Sequence, residues 1–90
     1  MREIRRTGQF KRDMKRIQKR GYDLVPLRDV IERIAAGETL EPRFKDHPLV
    51  GGYSGARECH IESDWLLIYE RTDTELVLIR TGTHADLFGE

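Results

Sequence analysis

Ninety residues, 38% of them hydrophobic and 36% charged, describe one small domain over residues 1–90, able to bury about 60–65% of its unfolded surface. The single cysteine excludes an internal disulfide framework. With no signal-peptide core and no apolar run long enough for a bilayer, the chain is expected to be cytoplasmic and without a membrane partner. A formal net charge of zero conceals a division: residues 1–20 hold nine Lys or Arg against Glu3 and Asp13, a net of +7, and the remainder carries −7.

Arg2 to Arg6 is short and charged, suited to an edge strand. Thr7 can cap a helix in which Phe10, Met14 and Ile17 recur at i, i+4 and i+7, and Gly21 can stop it. Asp23 can cap a second helix with Pro26 in its first turn. Leu24, Leu27, Ile31 and Ile34 line that helix, Val30 widens the stripe, and Gly37 ends it. Residues 38–56 read as a long irregular connection, with a short strand possible around Leu49. Three runs near 57–62, 65–71 and 75–81, separated by short polar breaks, read as an antiparallel meander. The expected fold is α+β: a helical hairpin at residues 8–36 packed on a twisted antiparallel sheet of about four strands.

In the first run of the meander, Cys59 and Ile61 point one way while Glu58, His60 and Glu62 point the other. His60 therefore stands on an open face, where Arg80 can join it from two strands away and the tail can return His84 and Phe88. Cys59 is read as a small buried hydrophobe, not a nucleophile. His47, His60 and His84 show no short ligand spacing and no second cysteine exists, so neither a metal site nor another cofactor is expected. General acid–base chemistry suits these residues better, since paired imidazoles can hold one proton between them near neutral pH. Arg80 or Lys45 can neutralise phosphate charge, and Trp65 or Phe88 can stack on a base. Those parts fit RNA cleavage through its own 2′-hydroxyl. The bland alternatives are a turn-fixing His47, an ordinary turn Asp64 and a core Trp65.

The segments Phe44-Lys45-Asp46-His47-Pro48-Leu49, Glu58 to Tyr69, and Arg80-Thr81-Gly82-Thr83-His84-Ala85-Asp86-Leu87-Phe88-Gly89 resemble the YafQ branch of the RelE/ParE toxin superfamily, over essentially the whole chain. The resemblance implies the RelE-like microbial RNase fold and a bacterial type II toxin. Such a toxin is a ribosome-dependent endoribonuclease, an mRNA interferase acting in the A site. It implies catalytic roles for His47, His60, Asp64 and His84, with Phe88 supporting the site and Trp65 beside it. The implied partners are the 70S ribosome with its mRNA, a cognate antitoxin of the DinJ- or RelB-like ribbon-helix-helix kind, and operator DNA only through that antitoxin. Lys11, Arg12, Lys15, Arg16, Lys19 and Arg20 would meet ribosomal RNA or an acidic antitoxin segment. The competing readings are a gyrase-poisoning ParE-like toxin, which the histidine set argues against, and a non-catalytic RNA- or antitoxin-binding module.

Overall fold

The computed structural model describes residues 1–49 and 55–89. In chain order these form β1 (Glu3–Arg6), α1 (Gly8–Lys19), α2 (Val25–Ala35), a 3-10 turn (Pro42–Phe44), β2 (His47–Pro48), β3 (Arg57–Glu62), β4 (Trp65–Arg71), β5 (Glu75–Gly82) and α3 (His84–Phe88). Val50 to Ser54, part of the irregular connection, lie outside the described residues.

The first long helix begins on the expected Thr7, and both long helices end on the expected glycines. The Thr7 hydroxyl accepts from the Phe10 amide. Gly21 takes φ +81°, and the amides of Gly21 and Tyr22 close on the carbonyls of Gln18 and Ile17, a Schellman turn that only a residue tolerating positive φ ends at no steric cost. Gly37 ends α2 with the same pair of bonds, to Ile34 and from Glu38 to Arg33. At the start of α2 the cap position belongs to Leu24. Asp23 still does a cap's work, its carboxylate accepting from the Val25 amide.

The sheet order is β1-β5-β4-β3-β2, which corrects the expected sheet in two respects. It has five strands, β2 being a two-residue pairing of His47 with Glu58 and Pro48 with Arg57. It is also mixed, because β1 lies parallel to β5. The direction of β1 is set by tertiary closure: the Thr7 amide donates to the Leu78 carbonyl and its hydroxyl to the Ile79 carbonyl. One apolar residue in four, Ile4, is too little pattern to specify a partner.

The helices cover one face of the sheet. Phe10, Ile17, Leu27 and Ile34 pack there on Cys59, Leu67, Tyr69 and Leu78. Val30 is fully buried while Ile31 is only partly so, which shifts the α2 stripe by one position from the expected one. Asp13 is buried among these apolar residues, and Arg80 offsets the cost by donating to it from Nε and Nη2, both at 3.0 Å. On the opposite face Ala56, Leu66, Ile68 and Leu87 form a smaller apolar cluster. Leu87 comes from α3, so that cluster docks the C-terminal helix beside the last turn of β5.

Candidate active site

His47, Glu58, His60, Asp64 and His84 are brought together at the β2–β3 side of the sheet by three local devices. The first is an anchor for the loop before β2. Lys45 adopts the left-handed conformation, φ 48°, and turns the chain. Asp46 then accepts from the Tyr69 hydroxyl at 2.7 Å and from Arg57 Nε at 3.2 Å. With its neighbour pinned, His47 pairs across to β3, its Nε2 3.0 Å from Glu58 Oε2 and its Nδ1 3.1 Å from the Pro48 carbonyl.

The second device is strand alternation. Glu58 and His60 share one side of β3, and His60 Nε2 lies 3.8 Å from the Glu58 carboxylate. Glu58 is buried between two histidines. Sequence reasoning placed it on this face but gave it no role. The available signal was its position two residues before His60.

The third device is the cap of α3. Thr83 and Asp86 form a reciprocal capping box, each side chain bonding the other's backbone amide, so His84 is held at the first helical position. Its amide and Nδ1 both meet Asp64 Oδ1, at 2.9 and 2.6 Å. The His60 and His84 rings sit edge to face with centroids 5.7 Å apart. A contact chain thus runs His47–Glu58–His60–His84–Asp64.

The electrostatics follow this order. Burial lowers the pKa of His60, opposed by the Glu58 carboxylate, with the positive charges of Lys45, His84 and His47 adding to the fall. Asp64 is held below the usual carboxylate range by its two bonds from His84. Burial pushes the Cys59 thiol up to about 12, in keeping with its reading as a core residue. Beside the chain lies a groove of about 330 Å³ lined by Arg43, Phe44, Lys45, His60, Ile61, Glu62 and Ser63. Lys45 and His60 line this groove together. A second groove, about 310 Å³, is lined by Tyr22, Asp23, Glu62, Ser63, Asp64 and Trp65.

One other expectation needs correction. Trp65 is 3% exposed, its ring edge-to-face with Tyr22 at 5.0 Å and its indole N–H donated to Thr81 Oγ1. It is a core residue at the wall of the second groove, not an open stacking face. Arg80 forks onto Asp13 of α1, and the register sets it opposite Ile68, which pairs in turn with Glu58. Arg16 and Arg20 of α1 both reach Asp86 of α3 while staying more than a third exposed. Phe88 is 39% exposed at the end of α3 and remains accessible. Lys11, Lys15 and Lys19 are exposed, with no ion-pair partner among the described residues.

A mixed sheet of this order, covered by a helical hairpin and carrying its histidines at the β2–β3 edge and the cap of a short last helix, defines a toxin of the RelE-like fold. A family model described as the YafQ bacterial toxin of type II toxin–antitoxin systems matches residues 2–89. The chain is 44% identical over 89 residues, 98% of its length and 97% of the relative's, to the mRNA interferase toxin YafQ of Escherichia coli strain K12. It superimposes on a chain of the crystallised E. coli DinJ–YafQ toxin–antitoxin complex with a TM-score of 0.90 at 44% identity, covering 98% of each. A copper-bound mutant toxin from Helicobacter pylori gives 0.92 at 38% identity, over 98% of this chain and 100% of that one. The chain belongs to the YafQ family of bacterial type II toxins.

Proposed function

We propose that this toxin is an endoribonuclease that cuts mRNA in the A site of the 70S ribosome, in the cytoplasm, by metal-independent acid–base catalysis. A cognate antitoxin would hold it inactive. The observation that carries the reading is the pairing of His84 Nδ1 with Asp64 at 2.6 Å beside a second imidazole, His60. The Asp64 carboxylate holds Nδ1 and fixes the ring, leaving Nε2 as the nitrogen through which His84 can pass a proton to the departing 5′-oxygen. His60 stands between the other two histidines in the contact chain and is placed to accept the 2′-hydroxyl proton. That oxygen attacks the adjacent phosphate, the P–O5′ bond breaks, and a 2′,3′-cyclic phosphate remains. Lys45 lies beside the groove that would hold the phosphate, where its ammonium offsets the growing charge, and Phe88 offers an accessible ring for a base.

Sequence likeness to a relative named an mRNA interferase supports the activity. Likeness to a toxin crystallised with DinJ supports an antitoxin of that kind, with operator DNA reached only through it. The test is single-turnover cleavage of mRNA on purified ribosomes. The expected products end in 2′,3′-cyclic or 3′-phosphates, and a chelator leaves the rate unchanged. Products with 3′-hydroxyl ends, or a requirement for added divalent metal, would overturn the mechanism.

A further inference from the structure

We infer that Arg43, resting on Phe44, is a stacking platform for one RNA base, that of the nucleotide whose 2′-oxygen attacks. Which nucleotide lies there follows from the nuclease reading, on which this assignment rests. Pro42 fixes its own φ at the start of the 3-10 turn. The Phe44 amide closes on the Glu41 carbonyl and the Lys45 amide on the Pro42 carbonyl, both at 3.0 Å. With Phe44 buried in the core, the turn presents Arg43 from a fixed backbone. The Arg43 guanidinium carbon lies over the Phe44 ring, 4.5 Å from its centroid, and Nε donates to Glu41 Oε2 at 3.0 Å. Arg33 approaches the same ring at 5.4 Å and the same carboxylate at 3.2 Å. These contacts orient a side chain that is otherwise flexible, before any ligand arrives.

The Arg43 side chain nevertheless stays 72% exposed. One face of its guanidinium rests on Phe44, and the exposure leaves the other to a ligand. Unstacked RNA bases lie on such planes as readily as on aromatic rings. Arg43 and Lys45 line the same groove as His60, but their charges are not equally available. Arg43 already faces Glu41, whereas Lys45 has no ion-pair partner among the described residues. Phosphate contact therefore falls to Lys45, and the plane of Arg43 is left for a base. His60 takes the 2′-hydroxyl proton from within this groove. Asp64, which holds His84, lines the second groove instead, on the side of the leaving oxygen. The base on Arg43 thus belongs to the nucleotide 5′ of the cut.

The test measures binding of purified toxin to ribosomes programmed with an uncleavable mRNA. That mRNA carries 2′-deoxyribose through the A-site codon, intact or with one A-site nucleotide abasic in turn. At one position, removing the base should weaken wild-type binding about two- to thirtyfold, the range for a cation on a ring face. Arg43→Ala should bind the intact mRNA as weakly as wild type binds that abasic one, and lose nothing more when the base is removed. Arg43→Lys keeps the charge without the plane and should behave like Arg43→Ala. Arg43→Tyr keeps a plane without the charge and should regain a preference for the base. A wild-type toxin indifferent to every base would overturn the platform. So would a base preference that persists undiminished in Arg43→Ala or in Arg43→Lys. On the ribose mRNA, the cut should map directly 3′ of the nucleotide that Arg43 reads, and a cut elsewhere would overturn the assignment to the attacking nucleotide. A base preference that depends on Arg43, with no cleavage of the ribose mRNA, would support the platform and count against the nuclease reading alone.

Discussion

Arg20 places both terminal nitrogens of its guanidinium on the Asp86 carboxylate, Nη1 on Oδ2 at 2.6 Å and Nη2 on Oδ1 at 2.9 Å. This fork ties the C-terminal end of α1 to the short helix that presents His84. Asp86 also accepts from the Thr83 amide at 3.0 Å, so one carboxylate serves as cap and tether together. A Cβ built on Gly82 would meet Asp86 Cβ and Oδ2 at 2.9 Å, which is why glycine precedes the cap. Loss of the cap in Thr83→Ala should cost about 1 kcal/mol of stability. Gly82→Ala should displace α3 and lower kcat without comparable loss of ribosome affinity. An unchanged kcat in Gly82→Ala would show that His84 does not depend on this packing.

Acid should unfold the protein partly through the same region. Arg20 holds the Asp86 carboxyl well below its ordinary value, against the effect of burial and with further bonds from Thr83. Burial alone would raise the pKa of Asp13, but the bonds from Arg80, Gln9 and the Thr81 amide lower it overall. An unfolded Asp titrates near about 3.9. The folded values lie lower, so these carboxylates contribute stability that is complete above about pH 4 and is lost as pH falls through the folded values. Urea midpoints should decline gently from pH 7 to 5, because His60 with its lowered pKa takes up a proton more readily unfolded, and fall steeply below 4, with a shallower acid fall in Asp86→Asn. An identical acid slope in that variant would remove Asp86 from the account.

The Tyr69 hydroxyl anchors Asp46 beside His47. Tyr69→Phe removes one bond from a carboxylate that keeps Arg57, which should cost about 0.5–1.5 kcal/mol. The larger expected effect is on chemistry, because the turn that presents His47 loosens. Single-turnover cleavage should fall several-fold while the helix content by circular dichroism is unchanged.

Arg16 and Arg20 also bond Asp86, whereas Lys11, Lys15 and Lys19 are exposed with no ion-pair partner among the described residues. Reversing the three lysines to Glu should weaken ribosome binding most at low salt and flatten its salt dependence, since fewer phosphate contacts release fewer counterions. The first-order cleavage rate of bound toxin should be unaltered. A salt-independent loss would point to misfolding instead of lost phosphate contacts.

Alanine at His60 or His84 should each cost about 10²–10⁴-fold in single-turnover rate, and Asp64→Asn should act through His84. The double variant His84→Ala/Asp64→Asn should be little worse than His84→Ala, because two residues serving one proton transfer are not additive. Multiplicative losses would mean that Asp64 acts independently.

Local pattern was sufficient for the elements themselves. The 3.6-residue stripes, Thr7 and the two stop glycines specified the helices; three short apolar runs between polar breaks specified the β3–β5 meander, and alternation in the first placed Glu58 and His60 on one side of β3. These signals depend on neighbours within a few positions, where sequence spacing and spatial spacing coincide. The partner choices did not follow, because each joins residues far apart in the chain. Examples are the parallel pairing of β1 with β5, the burial of Asp13 against Arg80, the surface fork of Arg20 on Asp86, and the indole of Trp65 bonded to Thr81. A charged residue reads as solvated in sequence, and only the tertiary structure supplies the opposite charge that makes its burial favourable. Glu58 shows the same limit: alternation gave its direction, but only the pairing of β2 with β3 brought His47 to its other side.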